Sequence, residues 1–201
     1  MDQLQPETEL AAIRRIMEDS RRIRMGSAKP ALVWGILVFL GIAYSYLNYF
    51  YFNLKVNEIF IWTCIMAAGW CYQIYHIRTL SKQARVKTVS GRIVRNLWNT
   101  TLLSLTIVFF APWVVSSFPF QIAVGVIALL LGNSFYIDGV ICGSNMTRYC
   151  AVGWWLGGIA IFLAPVFYNG IIFAGLLLAF QIIPGMILYK RWNEELHAPT
   201  A

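Results

Sequence analysis

Charge is scarce in this chain: Asp, Glu, Lys and Arg together supply 12% of its residues. A water-soluble domain carries about 25%, so the shortage excludes a soluble globular enzyme and a charge-rich disordered chain. Histidine occurs twice and cysteine four times in 201 residues. Those thiols make no disulfide framework, and their spacing fits no zinc site, so no metal is expected. His76 is the one histidine inside an apolar run, which excludes a pair of axial haem ligands. No H-E-x-x-H, G-x-S-x-G or phosphate-binding glycine loop occurs. No cofactor is expected. An intramembrane enzyme would have to work from a sparse set of polar side chains.

Hydrocarbon is what the chain has in excess. Hydrophobic residues make up 59% of it and aromatic ones 15%, and the mean hydropathy is +0.62. A membrane helix needs about 20 mostly apolar residues to cross roughly 30 Å of hydrocarbon. Six stretches qualify: 30–52, 58–77, 97–116, 118–142, 149–168 and 170–189. The expected fold is therefore all-α, a polytopic six-helix transmembrane bundle spanning 30–189, preceded by a cytoplasmic segment at 1–29 and followed by a tail at 190–201. Connections are turn-length except for the one at 78–95. The first apolar run is too long for a cleavable signal and follows a charged segment.

Charge placement supplies the orientation. Arg14, Arg15, Arg21, Arg22, Arg24 and Lys29 precede the first span, and Arg78, Lys82, Arg85, Lys87, Arg92 and Arg95 join the second to the third. With Arg148, Lys190 and Arg191, fifteen of the sixteen basic residues fall on one side, leaving Lys55 on the other. The positive-inside rule then predicts cytoplasmic termini in a multi-pass membrane protein. Cys142 and Cys150 lie toward that reducing side, where free thiols are expected.

Residues 5–25 read as an amphipathic helix. Leu10, Ile13, Ile16, Met17 and Ile23 recur at helical spacing, with Arg14, Arg15, Glu18, Arg21 and Arg22 opposite. Such a helix either lies among headgroups or docks a cytoplasmic protein partner or a second copy of the chain. Positions 1–29 carry six basic and five acidic residues, a near-balance that favours protein over anionic lipid. The connection at 78–95 has six basic residues and no acid. Its Arg78, Lys82, Arg85, Lys87, Arg92 and Arg95 read as topology signal and anionic-headgroup contacts. Ser90 is the expected cap of the third span. No aromatic platform accompanies the charge, so nucleic acid is not an expected partner.

Polar groups within a membrane are costly and mark candidate function. Gln73, His76, Asn133, Asp138 and Gln181 are the candidate lining of a polar cavity open to the cytoplasm. Asp138 is the one acid inside a span beyond its first residue, and either pairs with Arg92, Arg95 or Arg148 or serves a ligand or proton. His76 is likewise either an interfacial anchor or a titrating group. Gly125, Gly132 and Gly139 recur every seven residues, and Gly153 and Gly157 form a G-x-x-x-G, both read as close helix packing. Cys64, Ala68 and Cys71 form a further small face, also expected inside the bundle. Pro112, Pro165 and Pro184 are expected to kink the third, fifth and sixth spans.

The segment Ile13-Arg14-Arg15-Ile16-Met17-Glu18-Asp19-Ser20-Arg21 resembles small, uncharacterised bacterial integral membrane proteins that carry an N-terminal I-R-x-[IM]-M-E-x-S stretch. The resemblance covers about the first 45 residues. It implies a bacterial inner-membrane setting and carries over no function and no site residue. Three functional expectations stand together: a non-catalytic membrane module docking a partner or neighbouring subunit, a small transporter or channel, and an intramembrane enzyme.

Overall fold

A computed structural model of the chain describes residues 29–52, 54, 57–83 and 89–197. The expected amphipathic helix over 5–25 lies outside the described residues, as do Arg85 and Lys87 of the basic connection. All regular structure among the described residues is helical. Six helices follow one another: α1 (Lys29–Phe52), α2 (Glu58–Gln83), α3 (Val89–Val114), α4 (Phe120–Ile141) and α5 (Asn145–Leu163). The last, α6, runs from Asn169–Leu177 through a π turn at Leu178–Ile182 into Ile183–His197.

Five of these helices are long and apolar enough to cross a membrane. The exception is α2, which has the length, with 26 residues. Its apolar run is interrupted by Thr63, Trp70, Tyr72, Gln73, Tyr75 and His76, whose polar atoms lower its hydropathy. Large apolar side chains face outward along the bundle, among them Leu40, Leu103, Ile107, Val114, Leu156 and Leu163. A surface of that kind is costly in water.

Several boundaries differ from those expected, each for a local reason. α3 begins at Val89, so Ser90 lies inside the helix rather than capping it. Val94 is buried, and packing draws the first turns of α3 into the fold beyond the apolar run. α5 begins at Asn145 because Ser144 caps it, accepting bonds from Thr147 N at 3.3 Å and Thr147 Oγ1 at 2.9 Å. Pro165 ends α5 instead of kinking it. Ala164, the residue before it, is driven to extended backbone at ψ 153°. Pro112 sits within α3, two residues before the helix ends, and Pro184 stands two residues beyond the π turn of α6.

Neighbouring helices run antiparallel. Trp34 of α1 lies over Gly69 of α2, and Trp62 of α2 packs on Phe109 of α3. Trp98 of α3 meets Phe135 of α4 edge-on. Leu32 and Gly35 of α1 pack against Gly185 and Ile182 of α6, so the last helix closes against the first.

An extensive interface among the described residues joins α4 to α5. α4 ends in a Schellman turn: Ser144 N bonds Gly139 O at 2.8 Å, Gly143 N bonds Val140 O at 3.3 Å, and Gly143 takes φ +63°. That tight reversal sets a register in which partners lie equally far from the turn. A Cβ on Gly132 would stand 2.4 Å from the Trp155 ring, one on Gly125 2.4 Å from Phe162, and one on Gly139 2.8 Å from Arg148 Cγ. The heptad of glycines thus seats a heptad of large side chains. Gly153 and Gly157 do the same for Phe180 and Leu176 of α6. The small face of α2 behaves otherwise: Cys64, Ala68 and Cys71 are exposed on the outside of the bundle, where the sequence suggested an internal contact. All four cysteines are free thiols.

This packing yields a paired test. Gly132→Ala forces a rigid indole to move and is expected to destabilise the bundle by about 1–3 kcal/mol. Gly175→Ala meets nothing within 4 Å and should be neutral, or stabilising by up to about 1 kcal/mol through helix propensity. Thermal unfolding in detergent micelles distinguishes them. Equal effects would count against the close-approach account.

Candidate functional site

Near the turn between α4 and α5, three helices bring polar side chains together. Asp138 lies in the last turn of α4 and is only 5% exposed. Thr147 and Cys150 project from the first two turns of α5, both buried. Gln181 comes from the π turn of α6 and is 8% exposed. These four, with Ala31, Trp98, Phe135, Pro184 and neighbouring residues, line a cavity of about 40 Å³.

The π turn has a visible local cause. Pro184 has no N–H to offer the Phe180 carbonyl, and its ring crowds that carbonyl in an ordinary helix. Widening the preceding turn relieves the crowding, with Ile183 N bonded to Leu178 O, five residues back, in the π pattern. The wider turn carries Gln181, whose Nε2 donates to the Ala31 carbonyl of α1 at 2.9 Å. That bond fixes the amide, leaving Oε1 buried without a partner. Asp138 Oδ1 receives the Cys142 thiol at 3.6 Å.

Asp138 and Gln181 therefore share one cavity, and the other three candidates lie elsewhere. Gln73 is buried between α2 and α3, where its Nε2 donates to Asn99 Oδ1 at 3.1 Å. His76 stacks on Tyr72 of its own helix with ring centroids 5.9 Å apart. Asn133 is exposed on the outer side of α4, accepting the Trp155 Nε1 proton at 3.0 Å. Further bonds tie neighbours together: Trp70 Nε1 to Thr106 Oγ1 at 3.1 Å and Thr101 to Ser134 at 2.7 Å.

The described basic residues gather at the end of the bundle that holds this cavity. Lys29 Nζ stands 5.4 Å from the Tyr189 ring centroid, joining the start of α1 to the end of the apolar part of α6. Arg148 packs its stem on Gly139 and donates through Nη2 to Asn145 Oδ1. Arg78 and Arg92 are exposed and Arg95 is half-buried. The opposite end is aromatic: Tyr46 Oη donates to the Phe167 carbonyl, and Tyr49 and Phe50 cluster on the Phe167 ring.

Sequence reasoning passed over Gln121. Its Nε2 donates to the Ile161 and Ala164 carbonyls, each at 2.9 Å, and so satisfies the frayed C-terminus of α5. A polar residue in the first turn of a helix that forms a hairpin with the next is the signal that could have found it. Thr147, Trp98 and Phe135 were likewise unmarked, because their part in the cavity depends on which helix faces which. No protein-family model, curated protein or solved structure matches this chain.

Gln121→Leu removes the amide's bonds to the α5 carbonyls and is expected to cost about 1–3 kcal/mol. Gln121→Glu should cost more at neutral pH, because a carboxylate then faces carbonyl oxygens. Unfolding of the two variants in one detergent gives the order; Glu as stable as the native residue would contradict this capping role.

Proposed function

We propose that this chain is a six-span membrane protein of a bacterial inner membrane, with both termini in the cytoplasm. It serves as a non-catalytic module that docks a neighbouring subunit through its N-terminal helix and its α2–α3 side. The orientation follows from the basic residues, fifteen of sixteen on one side of the spans. Counting α2 as a span keeps Lys29, Arg78, Arg92, Arg95, Arg148 and Lys190 at one end of an antiparallel bundle. Its hydropathy is lowered by side chains such as Gln73 and Trp70 that bond to α3.

One observation carries the docking role. α3 is less apolar than α4, yet 11% of its span window is buried against 50% for α4. A bundle standing alone in lipid gains by covering its more polar helices. Here Asn96, Thr100 and Ser104 run along the outward face of α3 at four-residue steps. Beside them α2 presents Thr63, Cys64, Ala67, Ala68 and Cys71, also exposed. Lipid chains offer Asn96 no hydrogen bond, whereas a transmembrane helix of a neighbouring subunit offers both a bond and close packing over small side chains. Several polar groups support a packing role, since Gln73, Trp70, Thr101 and Asn133 are engaged between neighbouring helices.

A transporter reading has the Asp138–Gln181 cavity in its favour. About 40 Å³ is the room of a few waters, at about 10–15 Å³ each, and Gln73, His76 and Asn133 do not join it. The docking role is the better supported.

Native mass spectrometry of the full chain extracted from its own membranes should give a stoichiometric complex with one further subunit, or with a second copy. Removing residues 1–25 or introducing Ser104→Trp on α3 should dissociate it. A lone chain, or a complex indifferent to both changes, would overturn the proposal.

A further inference from the structure

We infer that the α2–α3 face receives a membrane-spanning helix of a different protein, one that carries carboxylates at the end level with Arg78 and Arg92. This rests on the docking role proposed above and names its partner. Two rows of exposed side chains define the face. On α2, Cys64, Ala68 and Cys71 continue through Tyr75 to Arg78 at three- and four-residue steps, all of them exposed. On α3, Ser104, Thr100 and Asn96 lead by four-residue steps to Arg92, again all exposed. Residues three or four apart share one side of a helix, so each arginine closes a row that begins in mid-span. The bond from Gln73 Nε2 to Asn99 Oδ1 sets the two helices side by side. Arg78 lies five residues after Gln73 and Arg92 seven residues before Asn99, both toward the basic end. With a rise of about 1.5 Å per residue, they stand about 8 and about 10 Å from that bond, at nearly one level.

The charge of this face selects its occupant. From position 59 to position 137 the sequence contains no Asp or Glu. Glu58 lies at the opposite end of α2, where it accepts the Ser45 hydroxyl at 2.9 Å, and Asp138 is buried on α4. A second copy docking across a two-fold axis would bring Arg78 and Arg92 against their own images, and like charges so placed repel. Lipid chains give Asn96 and Ser104 no hydrogen bond. A foreign helix ending in Asp or Glu suits both parts of the face. Its small and hydroxyl side chains pack over Ala68 and Cys71 and bond to Asn96, while its carboxylates meet the guanidinium forks, which take two oxygens at a time. Thr100 has already given its proton to the Asn96 and Leu97 carbonyls, at 2.9 Å each. Its oxygen is therefore left to accept from the newcomer.

Native mass spectrometry of the full chain, extracted together with its surrounding lipid, gives the partner's mass, and sequencing the dissociated subunit gives its spans. The expected result is one different protein with Asp or Glu flanking a membrane span at the arginine end. Arg78→Gln combined with Arg92→Gln should lower the complexed fraction several-fold, and the corresponding Lys pair should restore most of it. Both arginines are exposed, so thermal unfolding of the chain alone should be unchanged. If the Gln pair unfolds early, Arg92→Gln alone carries the comparison. A complex of two identical copies overturns this inference and leaves the docking role standing. A foreign subunit without acid at that end does the same. So does a complex indifferent to the Gln variants, which assigns the arginines to lipid headgroups. A lone chain overturns the docking role itself, and this inference with it.

Discussion

The close approach of α4 to α5 is the contact on which the other arrangements rest. It depends on a glycine at every second turn of α4 and on a large side chain at every second turn of α5. The two series meet because Gly143, at φ +63°, permits a reversal so tight that the antiparallel register has no freedom to slip. Packing at this seam is dispersion and shape: each glycine admits a ring or a long side-chain stem where a Cβ would clash. Both helices are thereby the most buried of the spans, and the aromatic layer of Phe135, Trp154 and Phe173 joins them to α6.

Around that seam the polar side chains do two different kinds of work. Most of them connect sequence neighbours: Gln73 to Asn99, Trp70 to Thr106, Thr101 to Ser134, Trp155 to Asn133. Bonds of this type average about 0.6 kcal/mol in membrane bundles, so they orient helices more than they stabilise them. Gln181 differs because it reaches across 150 positions to the Ala31 carbonyl. It closes the bundle between last helix and first, and it does so from a π turn that Pro184 imposes. The same local distortion that accommodates a proline therefore supplies the closing bond and the cavity wall.

The surface divides along the same lines. α4 and α5 are the more covered helices, and α2 and α3 turn part of their small and polar residues outward, among them Cys64, Cys71, Asn96 and Ser104. The aromatic end, with Tyr46, Tyr49, Phe50 and Phe167 in contact, and the basic end, with Lys29, Arg78, Arg148 and Lys190, suit the two headgroup regions of a membrane.

Much of the architecture was legible because it depends on composition and on spacing along one helix. Low charge, long apolar runs and glycines seven apart can be read without knowing what lies opposite. Helix ends were less legible where a side chain or a tertiary contact decided them: Ser144 advanced α5, Pro165 ended it, and burial of Val94 carried α3 back to Val89. The candidate polar set was legible only as a list. Asp138 and Gln181 meet at one cavity, while Gln73, His76 and Asn133 turn to other neighbours, because rotation about a helix axis is set by the helices packed against it. The small residues of α2 make the same point, forming a stripe at helical spacing as the buried glycines of α4 do and yet facing out. Hydropathy and charge along the chain determined that this is an all-helical protein with helices fit for a membrane. Which side chains share a space was left to tertiary packing, where the Gly143 turn and the Pro184 π turn set register and rotation.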